Sequence, residues 1–358
     1  MRLRGVSSTA ASPLQERLKL PSLDELVASR KQDIHKGYYP NFRFNKEFIA
    51  LVTKAEKPDR QWDLDSFNWK QNISENLRTY LVHLDEERFF NEVLMALPYC
   101  SSYPRDKKEQ IFHKGLPSKD SRERDLLIET LVKERILALK IWAQHISAME
   151  QLAVAPLSGP VKEYRRYPAV QETAAKIIFD ESKHGRTVAT YLNDMLHSKI
   201  EVYQEDANEY ERYLSLTKFM PGASVLLALI VETVGNAFFK HIAKKSPEPL
   251  LGDICRMITE RDEQFHIDSC KTLYQMVHDS EKQTRFGKYW EELRNKVALW
   301  VIARKIYAKN LDPKNPLFPA LAVLGIDSKE LLGNIKTDLT NSLGSVGIKV
   351  NPAIFPKM

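Results

Sequence analysis

Apolar residues recur at three- and four-residue spacing over most of the chain, and this pattern predicts an all-α protein. Long segments rich in Leu, Ala, Glu, Lys and Arg favour helix, whereas glycine is scarce, with 13 residues among 358. Alternating runs of the kind that form strands are also scarce. The pattern places helices at 23–36, 74–97, 125–155, 169–198, 222–245, 250–279, 286–309 and 328–343.

Prolines and polar runs divide this helical pattern into three regions. Residues 1–64 are interrupted by four prolines and read as an irregular arm with one short helix. Residues 65–312 read as one helical domain, with a polar connection at 98–121. Residues 313–358 complete the chain as a C-terminal helix and tail. Within the domain, 125–279 reads as two helical hairpins, the first broken at 156–168, joined by a crossover at 200–220.

Two of the nine histidines have a glutamate three residues earlier: His184 after Glu181, and His266 after Glu263. Positions i and i+3 share one face of a helix at about 5–6 Å, so a carboxylate and an imidazole from one helix can approach the same metal ion. A single Glu-x-x-His motif is weak evidence for a metal site, because it is more often a solvated pair of side chains or contains an ordinary core histidine.

The spacing of the two pairs makes the signal specific. A single shift along the chain takes Glu181 to Glu263 and His184 to His266, and the same shift takes Glu150 to Glu232. A three-residue pattern therefore repeats in two consecutive hairpins. Since Glu150 is close to Pro156, either its helix runs on past that proline or the next segment climbs by roughly 10 Å.

Glu232 sits in a helix that is apolar nearly all round, which predicts burial. A buried ionised glutamate costs several kcal/mol unless it is paired or bound to metal. A protonated or arginine-paired core glutamate is the alternative. Four carboxylates and two imidazoles suit two iron ions, or manganese, and disfavour structural zinc. We therefore predict a di-metal site with the following ligands: Glu150, Glu181, His184, Glu232, Glu263 and His266.

Three further residues belong to this hypothesis. Asp180 and Asp262 each precede a Glu-x-x-His glutamate, and we predict that they hydrogen-bond the ligand histidines, although solvated helix charges are the alternative. Gly235 follows Glu232 by three residues on the same side of the helix. Either room for oxygen or substrate, or close helix packing, would justify a glycine there.

The segment 125–279 resembles the ferritin-like di-iron carboxylate oxidase and oxygenase superfamily. The run Asp180-Glu-Ser-Lys-His-Gly185, followed by Tyr191-Leu192, is similar to the second-helix motif of soluble acyl carrier protein desaturases. The run from Met257 to His266 is similar to their fourth helix and to that of p-aminobenzoate-type N-oxygenases. The resemblance implies a ferritin-like four-helix bundle with additional N- and C-terminal helices, and the six iron ligands named above.

Two positions depart from these subfamilies. The N-oxygenases have an extra histidine where this chain has Thr259, and the desaturases have a threonine where it has Gly235. The resemblance therefore specifies the metal site and leaves the substrate open.

The resemblance implies a non-haem di-iron, O2-dependent oxidoreductase. Such an enzyme hydroxylates, desaturates or cleaves a small organic or acyl substrate, an acyl thioester among them. Amine N-oxygenation is one alternative, a ferroxidase or iron-handling protein a second, and a metal-free helical interaction protein a third. An external ferredoxin- or flavin-type electron donor is expected, because no iron–sulfur cysteine pattern or dinucleotide-binding glycine loop occurs.

Composition indicates where the protein resides and which partners are not expected. Three cysteines without a Cys-x-x-Cys pair argue against a disulfide framework and favour the cytoplasm. The net charge of +6 comes without a dense basic block, so nucleic acid is not expected. The apolar run at 223–231 stops at Glu232 and is too short to cross a membrane. A homodimer is an expectation from analogy alone.

Overall fold

The computed structural model describes residues 20–31, 62–163, 167–199, 208, 222–282, 286–301, 315–351 and 355. These residues form helices and connections without a strand, so the all-α prediction is confirmed for the described part of the chain. The helices are α1 Leu23–Lys31, α2 Ile73–His83, α3 Glu86–Ala96, α4 Arg105–Lys114, α5 Arg122–Glu163, α6 Pro168–Thr190, α7 Ala223–Lys245, α8 Pro249–Ile258, α9 Gln264–Lys282, α10 Gly287–Val301, α11 Leu317–Val323 and α12 Ser328–Ser345.

Helix α5 is longer than the sequence predicted. The first helix does not end before Pro156, because α5 continues through Pro156 and Pro160 to Glu163, and α6 begins at Pro168. Of the two alternatives given for Glu150, the one observed is therefore that its helix runs on past Pro156. A proline inside a helix costs roughly 3 kcal/mol. Helix α5 packs extensively against α6, and helices in proteins owe most of their stability to such packing.

The second hairpin is formed by α7 and by α8 with α9. The predicted helix at 250–279 forms, but residues Thr259–Glu263 make one π-helical turn between α8 and α9. Such a turn adds a residue to the local coil, re-aims the side chains that follow, and is frequent at functional sites. Asp262 and Glu263 both lie in this turn, so it contributes to the direction of their side chains.

Helices outside the two hairpins close the bundle at one side. Arg135 of α5 is fully buried, and its guanidinium bonds Glu92 of α3 at 2.5 Å and the carbonyl oxygen of Val323 of α11 at 3.1 Å. Tyr80 of α2 donates to the other oxygen of Glu92 at 2.7 Å. These polar contacts attach α2, α3 and α11 to the long helix that carries Glu150.

Several boundaries differ from the pattern. The predicted helix at 74–97 is two helices, the first capped by Asn72, whose side chain accepts from the backbone N–H of Glu75, and not by Ser74. The connection at 98–121 contains α4, and α11 was not predicted. The crossover at 200–220, apart from residue 208, and the chain at 32–61 and 302–314 lie outside the described residues, so those predictions stay untested.

Candidate metal centre

The two hairpins carry the predicted ligands at matching depths. Glu150 and Glu232 lie equally far before the ends of α5 and α7. Glu181 and Glu263 lie almost equally far after the starts of α6 and α8. At a rise of about 1.5 Å per residue, each of these glutamates sits roughly 20 Å from its hairpin turn. The four carboxylates therefore meet at one level of the bundle.

All six predicted ligand side chains come together inside the protein, and each is at most 5 % exposed. Their ligand atoms form two groups in which every pair of atoms lies within 4.8 Å. One group contains Glu150, Glu181 and His184, and the other contains Glu181, Glu232, Glu263 and His266. Glu181 belongs to both groups, so its carboxylate lies close to both sets of candidate ligand atoms.

Both histidines turn the same ring nitrogen toward the glutamates. His184 Nδ1 lies 3.2 Å from Glu150 Oε2, and His266 Nδ1 lies 3.1 Å from Glu232 Oε2 and 3.0 Å from Glu181 Oε1. Adjacent ligands of an octahedral ion with bonds of about 2.1 Å are about 3.0 Å apart. The observed separations match this spacing, and they are also the separations of hydrogen bonds between imidazole and carboxylate in the metal-free protein.

The opposite ring nitrogens face aspartates, and each contact crosses between helices. His184 Nε2 lies 3.0 Å from Asp262 Oδ2, and His266 Nε2 lies 3.1 Å from Asp180 Oδ2. Asp180 of α6 thus contacts the histidine of α9, and Asp262 of the π-helical turn contacts the histidine of α6. The structure puts both aspartates behind the histidines, where a carboxylate fixes ring orientation and leaves Nδ1 free for a metal.

Three buried carboxylate oxygens in the centre have no hydrogen-bond partner among the described residues: Glu181 Oε1, Glu232 Oε1 and Glu263 Oε2. Glu181 Oε1 is close to His266 Nδ1, but the two atoms lack the alignment of a hydrogen bond. A buried acceptor without a partner costs about 1–3 kcal/mol, and more if it is charged. Three such atoms in one cluster are the expected state of a ligand set that is satisfied by cations. The residues present therefore fit a pair of divalent metal ions.

The pKa shifts of these side chains in the metal-free protein also indicate a cluster that favours cations. Burial, reinforced by the Glu181 carboxylate, raises the pKa of Glu232 to about 7. Burial and the neighbouring glutamates also raise the pKa of Glu150 and of Glu263 well above the usual range. Burial alone would lower the pKa of His266, but the surrounding carboxylates outweigh it and raise that pKa. Excess negative charge thus makes the centre take up protons when no metal is bound.

Two residues of this centre were not found from the sequence. Trp62 is 3 % exposed, donates from Nε1 to Asp262 Oδ2 at 2.9 Å, and stacks on the His184 ring with centroids 5.9 Å apart. The Lys183 side chain, 2 % exposed, puts Nζ 3.0 Å from Asp262 Oδ2. Lys183 directly precedes a ligand histidine, which was an available signal, whereas nothing in the sequence connects Trp62 to a residue so far along the chain.

The remaining two predicted residues have different surroundings. Among the described residues, no heavy atom would lie within 4 Å of a Cβ built on Gly235, so close packing against the described helices does not explain this glycine. The Thr259 hydroxyl donates to the carbonyl oxygens of Cys255 and Arg256, both at 3.0 Å, and is occupied by its own helix. Thr259 therefore shapes the start of the π-helical turn, and no contact among the described residues joins its hydroxyl to the ligand atoms.

Helix α7 is the one described helix that is long and apolar enough to cross a membrane, and 83 % of its most apolar window is buried inside the protein. Its apolar surface contacts α5, α8, α9 and α12. The composition of α7 is therefore accounted for by its place in the core beside the candidate metal centre.

Comparisons with protein-family models, with curated proteins and with solved structures find no match for this chain. What the centre does must therefore be inferred from its own geometry.

Proposed function

We propose that this chain is a ferritin-like, non-haem di-iron oxidoreductase that uses O2 to oxidise a small organic or acyl substrate. The observation that carries the proposal is the buried set of four glutamates and two histidines with three carboxylate oxygens that lack a hydrogen-bond partner among the described residues. Mixed carboxylate and imidazole donors suit iron or manganese. Four helices supplying two glutamates and two Glu-x-x-His pairs is the arrangement of carboxylate-bridged di-iron bundles.

Charge balance supports two divalent ions. The four glutamates contribute four negative charges, which two divalent ions would neutralise. Two lysines offset the charges of the two aspartates: Lys176 lies 2.6 Å from Asp180, and Lys183 lies 3.0 Å from Asp262 and 3.4 Å from Asp180. With both ions bound the centre is close to neutral, which is the condition for burying so many ionisable groups.

When bound, the iron pair would supply electrons to O2 and make it reactive toward a C–H or N–H bond. The protein's contribution follows from its own residues. His184 and His266 keep Nε2–H on the aspartates, which leaves Nδ1 as the donor to the ions. The apolar face of α7 around Glu232 excludes water, and exclusion of water prevents loss of an oxidising species to side reactions.

Two positions on α7 close to Glu232 bear on the choice between a substrate enzyme and a ferroxidase. Gly235 lies one helical turn beyond Glu232 and has open space among the described residues, while the residues around it on α7 are largely buried. Asn236, which is 4 % exposed, has a side-chain oxygen without a hydrogen-bond partner among the described residues. Open space and an unpaired acceptor beside the ligand Glu232 favour a substrate enzyme over a ferroxidase, which needs room only for iron and oxygen.

The first test is metal content. The protein is purified, loaded with Fe(II) without oxygen, desalted and measured by mass spectrometry, together with Glu232→Ala. About two irons per chain in the wild type, as the bundle pattern implies, and loss of metal in the variant support the centre. Oxygen uptake by the loaded protein, measured with an electrode after mixing with aerated buffer, then tests the reaction.

Glu129→Ala is the matched control, because Glu129 lies on α5 with Glu150 but is exposed and pairs with Arg78 at the surface. It should bind metal and take up oxygen as the wild type does. A wild-type protein that holds no iron after loading, or loaded protein that consumes no oxygen, would overturn the proposal.

A further inference from the structure

Lys183 lies between the two aspartates that orient the ligand histidines. Its ammonium nitrogen is 3.0 Å from Asp262 Oδ2 and 3.4 Å from Asp180 Oδ1. The ammonium also lies 4.5 Å from the centre of the Trp62 ring, a cation–π distance. A fully desolvated lysine is rare and stays charged only when it is well paired. Here it is paired with carboxylates from two different helices of the centre.

The internal repeat provides this lysine only once. The shift along the chain that relates the paired glutamates, aspartates and histidines takes Lys183 to Phe265. Phe265 packs edge-on against the His266 ring, with centroids 6.2 Å apart. The repeat thus supplies two aspartate–histidine pairs and one lysine placed to contact both.

We propose that Lys183 is the positioning residue for both ligand histidines, an inference that rests on the proposed metal centre. Asp180 and Asp262 are like charges held within 3.4 Å of one point in a buried environment. Without a cation between them, repulsion would turn the carboxylates apart. Each carboxylate would then leave the histidine of the other helix, so Lys183 would act on the histidines through the aspartates.

Loss of Asp262 and loss of Lys183 should affect the two ligand histidines differently. Loss of Asp262 removes the hydrogen bond to His184 and leaves that between Asp180 and His266. Loss of Lys183 weakens both, because both aspartates are held by it. Asp180 keeps Lys176 and Asp262 keeps Trp62, so the loss of Lys183 loosens the histidines without abolishing metal binding.

Cobalt(II) is the probe, since a histidine bound to it through Nδ1 gives a strongly shifted, exchangeable proton resonance from Nε2–H. The loaded wild type should show two such lines. In Lys183→Met both lines should broaden through faster exchange with water, and both cobalt equivalents should be lost to a chelator at least about tenfold faster, as expected when outer contacts of a metal ligand are removed. In Asp262→Asn one line should change.

Two variants separate positioning from folding. Lys183→Arg retains the charge and should recover the slow cobalt release, whereas Lys183→Gln retains a donor without charge and should behave like Lys183→Met. Lys240→Met, at an exposed position on α7, is the control and should match the wild type. Far-UV circular dichroism establishes that each variant is folded, and Lys183→Gln replaces Lys183→Met if the latter is not.

The outcomes are distinct. Two shifted lines and unchanged cobalt release in folded Lys183→Met or Lys183→Gln would overturn the inference and leave the metal centre intact. A change confined to one line would show that Lys183 serves a single histidine, which also overturns it. A wild type that binds no cobalt would remove the metal centre itself, and this inference with it.

Discussion

Metal ions should stabilise this protein strongly, because its core holds more negative charge than its own cations neutralise. A ligand that binds only the folded state raises the free energy of unfolding by RT ln(1 + [L]/Kd), which is about 2.7 kcal/mol per site at a free metal concentration of 100 Kd. Two sites contribute about 5 kcal/mol on the same basis. With an unfolding entropy of about 2.1 cal/mol/K per residue for 358 residues, the melting temperature should rise by about 7 °C.

Glu232→Gln should shift the melting temperature in opposite directions in the metal-free and the metal-loaded protein. At pH 8, the metal-free variant should melt higher than the metal-free wild type, since the amide removes a buried charge in the same volume. The metal-loaded variant should melt lower than the loaded wild type, because a ligand is lost. A variant that merely damages packing would lower both temperatures.

The assay is thermal unfolding followed by circular dichroism, with EDTA or with Mn(II) under otherwise equal conditions. Glu129→Gln, exposed on α5, should show the full metal-dependent rise. If metal leaves the melting temperature of the wild type unchanged, the glutamates are neutralised by protons and the reasoning from excess charge is wrong.

Three further predictions follow from the same structure. The free energy of unfolding of the metal-free protein should fall as pH rises from 5 to 8, by about 2–3 kcal/mol from Glu232 alone, since its folded pKa of about 7 exceeds the ordinary 4.5 and the folded state binds the extra proton. Urea unfolding at each pH measures this change, and a metal-free protein that gains stability over that range would contradict the prediction. Glu248→Ala should lower the free energy of unfolding by about 2–4 kcal/mol, because that buried carboxylate caps α8 and accepts a hydrogen bond from the Tyr191 hydroxyl at 3.0 Å. Equilibrium unfolding in urea should show this loss, while the metal content stays unchanged. Gly325→Ala should lower the free energy of unfolding by about 2 kcal/mol or more, since φ of Gly325 is +77° and a Cβ would lie 2.7 Å from Glu92 Oε2. An unchanged midpoint of urea unfolding would show that this turn relaxes freely.

The sequence determined the helical fold class, because the 3.6-residue recurrence of apolar positions survives any arrangement of the helices. It also selected the six residues of the centre. Chemistry that needs a carboxylate and an imidazole on one helix face fixes their spacing, and the internal repeat fixes the second set from the first. These are relations along one helix or between equivalent helices, so they can be read without a tertiary structure.

Relations between distant segments were decided by the tertiary structure. Pro156 signals a helix end locally, yet packing against α6 carries α5 past it. Trp62 carries no local sign of its contact with Asp262. Lys183 is next to His184 in the sequence, but only the packing of α6 against the π-helical turn brings two aspartates to its ammonium. Burial and charge at these positions depend on which helices meet, and a pattern along the chain does not contain that information.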